Sequence, residues 1–210
     1  MADDEIDDPF QSDDPAVWYE LIRSVHEAGL LVSIRHRLGV RLSQLFDAED
    51  VLQEVLQRVW VQRHSIEWRG LAAFKSYLLT AANHRIRDLA DHLNAQKRGG
   101  EKTIHSFSVL GGDTPEGVPY PGPWLTTTPS RLAILREQAD TIEAALASVD
   151  SDCREVVRLR LFEGESVSEI GTRIGLGSSG VRHRLRRGLH AYREALRKQL
   201  TSRTLRSLEE

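Results

Sequence analysis

The chain has 210 residues and a formal net charge of -3, a length that holds one ordinary domain or two small ones. Runs of Val, Ile, Thr and Tyr with period two are scarce, whereas most apolar residues recur at three- and four-residue spacing, which excludes strand-built folds and predicts an all-α protein. A lone cysteine, Cys153, excludes an internal disulfide and a CxxC zinc pair, and neither a signal peptide nor a membrane-length apolar run is visible, so a soluble, cytoplasmic protein without metal or cofactor is expected.

In chain order, residues 1–14 come first. They hold seven acids (Asp3, Asp4, Glu5, Asp7, Asp8, Asp13, Asp14) and no base, and predict a disordered acidic tail. Residues 15–98 are patterned as helices with breaks at Gly39, around Asp47 and around Gly70, and form one helical domain. Within it, Val51, Leu52, Val55, Leu56, Val59 and Trp60 make an apolar stripe, and Asp50, Gln53, Glu54 and Gln57 share the opposite face. Asp47 is the expected N-cap. A polar helix face taken alone is usually just solvated. Downstream, Phe74 and Tyr77 are expected to face the core and Trp68, in the break, to be exposed. Asn83 and Arg87 share a face of the next helix.

Residues 99–130 carry Gly and Pro without helical period and predict a linker, in which Tyr120, Trp124 and Leu125 are candidates for docking on a partner or on a flanking helix. Helical patterning resumes over 131–200, broken at Asp150–Asp152, Gly164 and Gly175–Gly177, with a fraying tail at 201–210. Ser166 and Glu169 form a capping box ahead of a short helix. The turn Gly175–Ser178 leads to a second helix, Ser179 to Leu196, with Val181, Leu185 and Leu189 inward. Arg182 to Lys198 holds seven bases against one acid, Glu194, so the charge is segregated along the chain. This is a helix-turn-helix. Ser178, Ser179, Arg182 and His183, near the helix start, are assigned to base edges in the major groove, and Arg186 and Arg187 to phosphate.

Two stretches carry a resemblance. Asp47-Ala-Glu-Asp-Val-Leu-Gln-Glu-Val-Leu-Gln-Arg-Val-Trp60 resembles the region-2 signature of bacterial extracytoplasmic-function sigma factors, and Asp152 to Ile170 resembles the start of their region 4. The resemblance implies two small helical domains, region 2 at 15–98 and region 4 at 131–200, with a Gly/Pro-rich linker between them. It implies an RNA polymerase core partner through the β′ and β subunits, promoter DNA, and an anti-sigma factor as a further candidate partner. By the same resemblance Asp50, Gln53 and Glu54 dock on the β′ clamp helices, and Trp68 lies in the loop that captures an unpaired base of the minus-ten element. The family's Arg-Asn pair falls over Asn83-His84, which leaves base reading to Asn83 or His84. Gly180 stands where the family commonly has Thr.

Two other readings compete. A helix-turn-helix regulator that does not dock on core polymerase would carry an α/β receiver or ligand domain upstream, and no strand-rich segment is seen. An enzyme using His26, His36, His64, His84, His92 or His105 would need a pattern such as HExxH or a Gly-rich phosphate loop, and neither is present. The expectation is a sigma factor that catalyses nothing itself, directing core polymerase to promoters and assisting their opening.

Overall fold

The computed structural model describes residues 8–25, 27–97 and 129–206. It is helical throughout the described residues, with no strand, and divides into two compact units between Leu132 and Ala133.

In the first unit, order begins ahead of the first long helix. Asp8 caps a 3-10 turn, Pro9–Gln11, by accepting from the Phe10 backbone N–H at 3.0 Å, and Pro9 pre-sets the φ of that turn. Phe10 is 1% exposed, its ring edge-on to Trp68 at 5.3 Å and to Phe74 at 5.2 Å. Asp13 pairs with the Arg63 guanidinium, and Asp14 caps α1 (Pro15–Ser24) by accepting from Ala16 N–H at 2.9 Å. The expected structureless acidic tail through residue 14 is therefore corrected from Asp8 onward. Composition registers the acids, but one aromatic with a seat, two caps and an ion pair are enough to order this short segment.

Helix α1 buries Trp18, Leu21 and Ile22. The next helix, α2 (Glu27–Ser43), buries every residue from Ala28 to Ile34, and it packs on α1, α3 and α4, as a helix apolar on all sides must. It is kinked at Gly39, whose φ of 61° and ψ of 174° suit glycine alone. In α3 (Ala48–Gln62) the predicted stripe from Val51 to Trp60 is buried. Asp47 occupies the N-cap position, but its side chain makes no capping hydrogen bond. After a 3-10 turn, Arg63–Ser65, and a break at Gly70, α4 (Leu71–Lys97) closes the unit with Phe74, Leu78, Leu79, Ala82, Ile86 and Leu89 inward. Burying each such side chain stabilises the unit by roughly 1.5–3 kcal/mol before entropy is subtracted.

The expected linker lies outside the described residues except at its end, where Pro129 and Ser130 already belong to α5 (Pro129–Ala147). The second unit continues with α6 (Ser151–Leu161), α7 (Val167–Ile174) and α8 (Ser178–Arg206). Helix α8 extends beyond the expected Leu196 and through much of the expected tail. The capping box forms: Glu169 N–H donates to Ser166 Oγ at 3.2 Å, and Ser166 N–H donates to Glu169 Oε2 at 2.7 Å. Gly175 ends α7 in the left-handed conformation, φ 70°. Val156, Leu159, Ile170 and Val181 form the core beneath the turn, with Leu176 and Leu185 packed against it.

Candidate nucleic-acid interface

Four sets of side chains were singled out in the sequence. The first lies on α3. Asp50 and Gln57 are exposed and Gln53 is half-buried, so they do share a face directed away from the core. Glu54 is differently placed: it accepts from Arg85 Nε at 2.5 Å and from Arg85 Nη2 at 3.2 Å, joining α3 to α4. Glu49, next to Asp50 in sequence, is buried and accepts from Arg35 at 3.0 Å.

The second set surrounds the loop between the 3-10 turn and α4. Trp68 is half-buried rather than exposed, because Phe10 and Phe74 pack against it. Together with Ile66, Ala73 and Tyr77 they wall a pocket of about 450 Å³ whose polar members are Ser65, Glu67 and Arg69. Phe74 is core, as expected, while Tyr77 is partly exposed at 37% and burial of the rest raises its hydroxyl pKa. Glu67 and Arg69 are paired at 2.5 Å; the hydrogen bond holds the Glu67 carboxyl below its ordinary range. Beneath the loop, Arg63 is buried, stacks over the Trp60 ring at 3.8 Å and donates to the Trp60 carbonyl at 2.9 Å.

On α4, the third set, His84 and Arg87 are exposed and Asn83 is half-buried. Arg85 between them is turned toward α3 by its pairing with Glu54.

The fourth set lies on α8. Ser178, Ser179, Arg182, His183, Arg186 and Arg187 are all exposed, as the apolar period through Val181 and Leu185 requires. Arg182 and Arg186 have no ion pair among the described residues, whereas Arg187 lies 3.9 Å from Asp150 and Arg184 lies 3.4 Å from Asp152. The turn that presents them is tight. Leu176 N–H donates to the Gly171 carbonyl at 2.9 Å, and a Cβ on Gly171 would meet the Leu176 carbonyl oxygen at 2.5 Å. An ionic network secures the approach to α7: Arg158 pairs with Glu155 at 2.7 Å and with Glu163, and Arg173 pairs with Glu163 at 3.2 Å and with Glu165. Sequence reasoning missed Gly171, Arg85 and Phe10, each of which matters through a partner distant in the chain or in the turn's geometry.

The comparisons follow the two units. Residues 25–98 match the sigma-70 region 2 family and residues 139–191 the sigma-70 region 4 family. The ECF RNA polymerase sigma factor SigX of Bacillus subtilis is 30% identical over 155 residues, 72% of this chain and 73% of the relative. The chain belongs to the ECF sigma factors. The ECF sigma factor SigL of Mycobacterium tuberculosis is 26% identical over 176 residues, covering 84% of this chain and 89% of the relative. A co-crystal structure of the sigma factor RpoE with the anti-sigma factor NepR from Bartonella quintana covers 85% of this chain and 95% of that one, at 16% identity and a TM-score of 0.36. As a sigma factor the chain acts in transcription initiation, binding RNA polymerase core and promoter DNA. No helix among the described residues is long and apolar enough to cross a membrane.

Proposed function

We propose how this sigma factor divides its work among the four sets. Asp50 and Gln53 on α3 meet the β′ clamp helices, with Glu54 presented beside them by Arg85. The pocket at the start of α4 receives one unpaired base of the minus-ten element, Trp68 and Tyr77 supplying stacking surface, while Asn83, His84 and Arg87 meet the same strand. On α8, Ser178, Ser179, Arg182 and His183 read base edges of the minus-thirty-five element, and Arg186 and Arg187 meet phosphate. Region 2 would then comprise residues 15–98 and region 4 residues 131–200, on either side of the linker. The chain performs no chemistry of its own; nucleotide addition belongs to the polymerase it joins in the cytoplasm. An anti-sigma factor is a further candidate partner on the strength of family membership.

The pocket carries this reading. Its volume of about 450 Å³ admits a base, four of its lining side chains are aromatic, and Ser65, Glu67 and Arg69 add polar groups to the lining. Stacking on an aromatic is worth roughly 1–3 kcal/mol per base, which offsets the cost of unpairing. The test is transcription from a genomic fragment library by purified core polymerase with this protein, followed by sequencing of the start sites. Trp68→Ala should reduce initiation at the wild-type start sites on duplex templates by about 10-fold or more. Equal initiation by wild type and variant would remove Trp68 from the assignment.

A further inference from the structure

We propose that Phe10, ahead of the first helix, is a positioning residue for base capture: it forms the back wall of the pocket and holds the Trp68 ring at the angle that receives the base. The proposal rests on the base-capture reading above and adds to it a segment that lies outside the residues matching region 2, 25–98.

Three observations carry it. First, Phe10 lines the pocket and touches two of its three other large aromatics, with ring planes at 87° to Trp68 and 71° to Phe74. Edge-to-face contact of this kind fixes ring orientation as well as burying area. Trp68 sits in a loop without regular structure, between Ser65 and Leu71, so no helical backbone sets its angle; the contacts with Phe10 and Phe74 do. Secondly, Phe10 is itself held on both sides. The Asp8 cap and Pro9 fix the turn in front, and behind it Asp13 grips Arg63, which is anchored on the Trp60 ring and carbonyl. Thirdly, Arg63 opens the 3-10 turn that leads into the Trp68 loop, so the same clasp ties the N-terminal segment to the beginning of the loop it supports. A side chain needed only to fill the core would not require a hold at both ends of its own segment and at the root of its neighbour's loop.

The test uses holoenzyme, reconstituted from the full chain and core polymerase, to select from forked duplexes whose unpaired overhang is randomised and whose upstream duplex is randomised separately. Wild type, Phe10→Leu and Trp68→Ala are compared, with thermal unfolding measured alongside. Leucine keeps most of the buried volume but not the ring contact. The expected result is that Trp68→Ala erases the preference at one unpaired position and Phe10→Leu weakens it by about three- to tenfold, while preferences in the upstream duplex are unchanged in both. If Trp68→Ala erases the preference and Phe10→Leu leaves it intact, the positioning role is overturned and base capture stands. Should Trp68→Ala leave every unpaired position unaffected, base capture itself falls and the role of Phe10 falls with it. Equal loss of overhang and upstream preferences in Phe10→Leu, with a lowered unfolding temperature, would reduce Phe10 to a packing residue and also overturn the proposal.

Discussion

Glu54 shows how one side chain can be claimed twice. It stands on the face of α3 assigned to the polymerase, yet its carboxylate is already held bidentately by Arg85, whose side chain is 16% exposed. Removing the acid takes both of these charge-assisted hydrogen bonds from a guanidinium that is largely out of water, and a hydrogen bond to a charged group is worth about 1.5–3 kcal/mol. Glu54→Ala should therefore lower both the unfolding free energy, by that amount, and core binding. Asp50→Ala should lower polymerase binding alone, since the Asp50 side chain is exposed. Denaturant unfolding together with retention on immobilised core polymerase separates the two. The face was legible in the sequence because α-helical spacing places Asp50, Gln53 and Glu54 together. The Arg85 contact was not, because nothing local to residue 54 marks a partner 31 positions away.

Among the elements, α8 carries two glycines with opposite consequences. At Gly180 a Cβ would meet only the Leu176 side chain, at 3.8 Å, which is ordinary contact. At Gly188 it would meet Val157 Cγ2 at 2.5 Å and Cys153 Cβ at 3.0 Å, because α6 lies against the helix there. Gly180→Ala should raise stability by about 0.5–1 kcal/mol, the gain from removing a helical glycine, and Gly188→Ala should lower it by about 1–3 kcal/mol through overpacking. Thermal unfolding of the two variants checks the sign of each. A thermally neutral Gly188→Ala would mean that α6 gives way. The capping box adds a dependence on pH. Backbone and side-chain hydrogen bonds with Ser166 hold the Glu169 carboxyl below its ordinary value. A depressed folded pKa means that the contribution is complete above the unfolded value of about 4.3 and is lost as pH falls through the folded one. Glu169→Gln should flatten that part of the acid limb in a pH series of unfolding midpoints. The box was legible because all its members lie within four consecutive residues. Neither the Gly188 approach nor the closure of the turn on Gly171 was, since each depends on where another backbone or helix passes.

For the whole molecule, a net charge of -3 gives no hint of DNA binding, whereas the distribution does. Cations are concentrated on α8, and Arg182 and Arg186 have no ion pair among the described residues. Replacing Arg186 with Ala should weaken binding to specific and nonspecific DNA alike and reduce the salt slope by about one unit. Arg182→Ala should cost about 1–3 kcal/mol on the correct upstream element and relax choice among its variants. Titrations of holoenzyme across a salt series distinguish the two, and identical uniform losses would take Arg182 out of the groove. The all-α class and the two regions followed from periodicity and from two motifs occurring in order. The early start of the first unit did not, because the rule for disordered composition averages over a window in which the single seated ring of Phe10 carries little weight. That early start bears on how the protein is handled. A chain trimmed back to Pro15, where the long helices begin, would open the seat of Phe10 and strip Asp13 from a guanidinium that is only 6% exposed. The trimmed chain would offer its neighbours a fresh apolar surface beside an unneutralised cation, a recipe for self-association and poor yield, whereas an affinity tag attached ahead of Asp8 leaves the clasp closed.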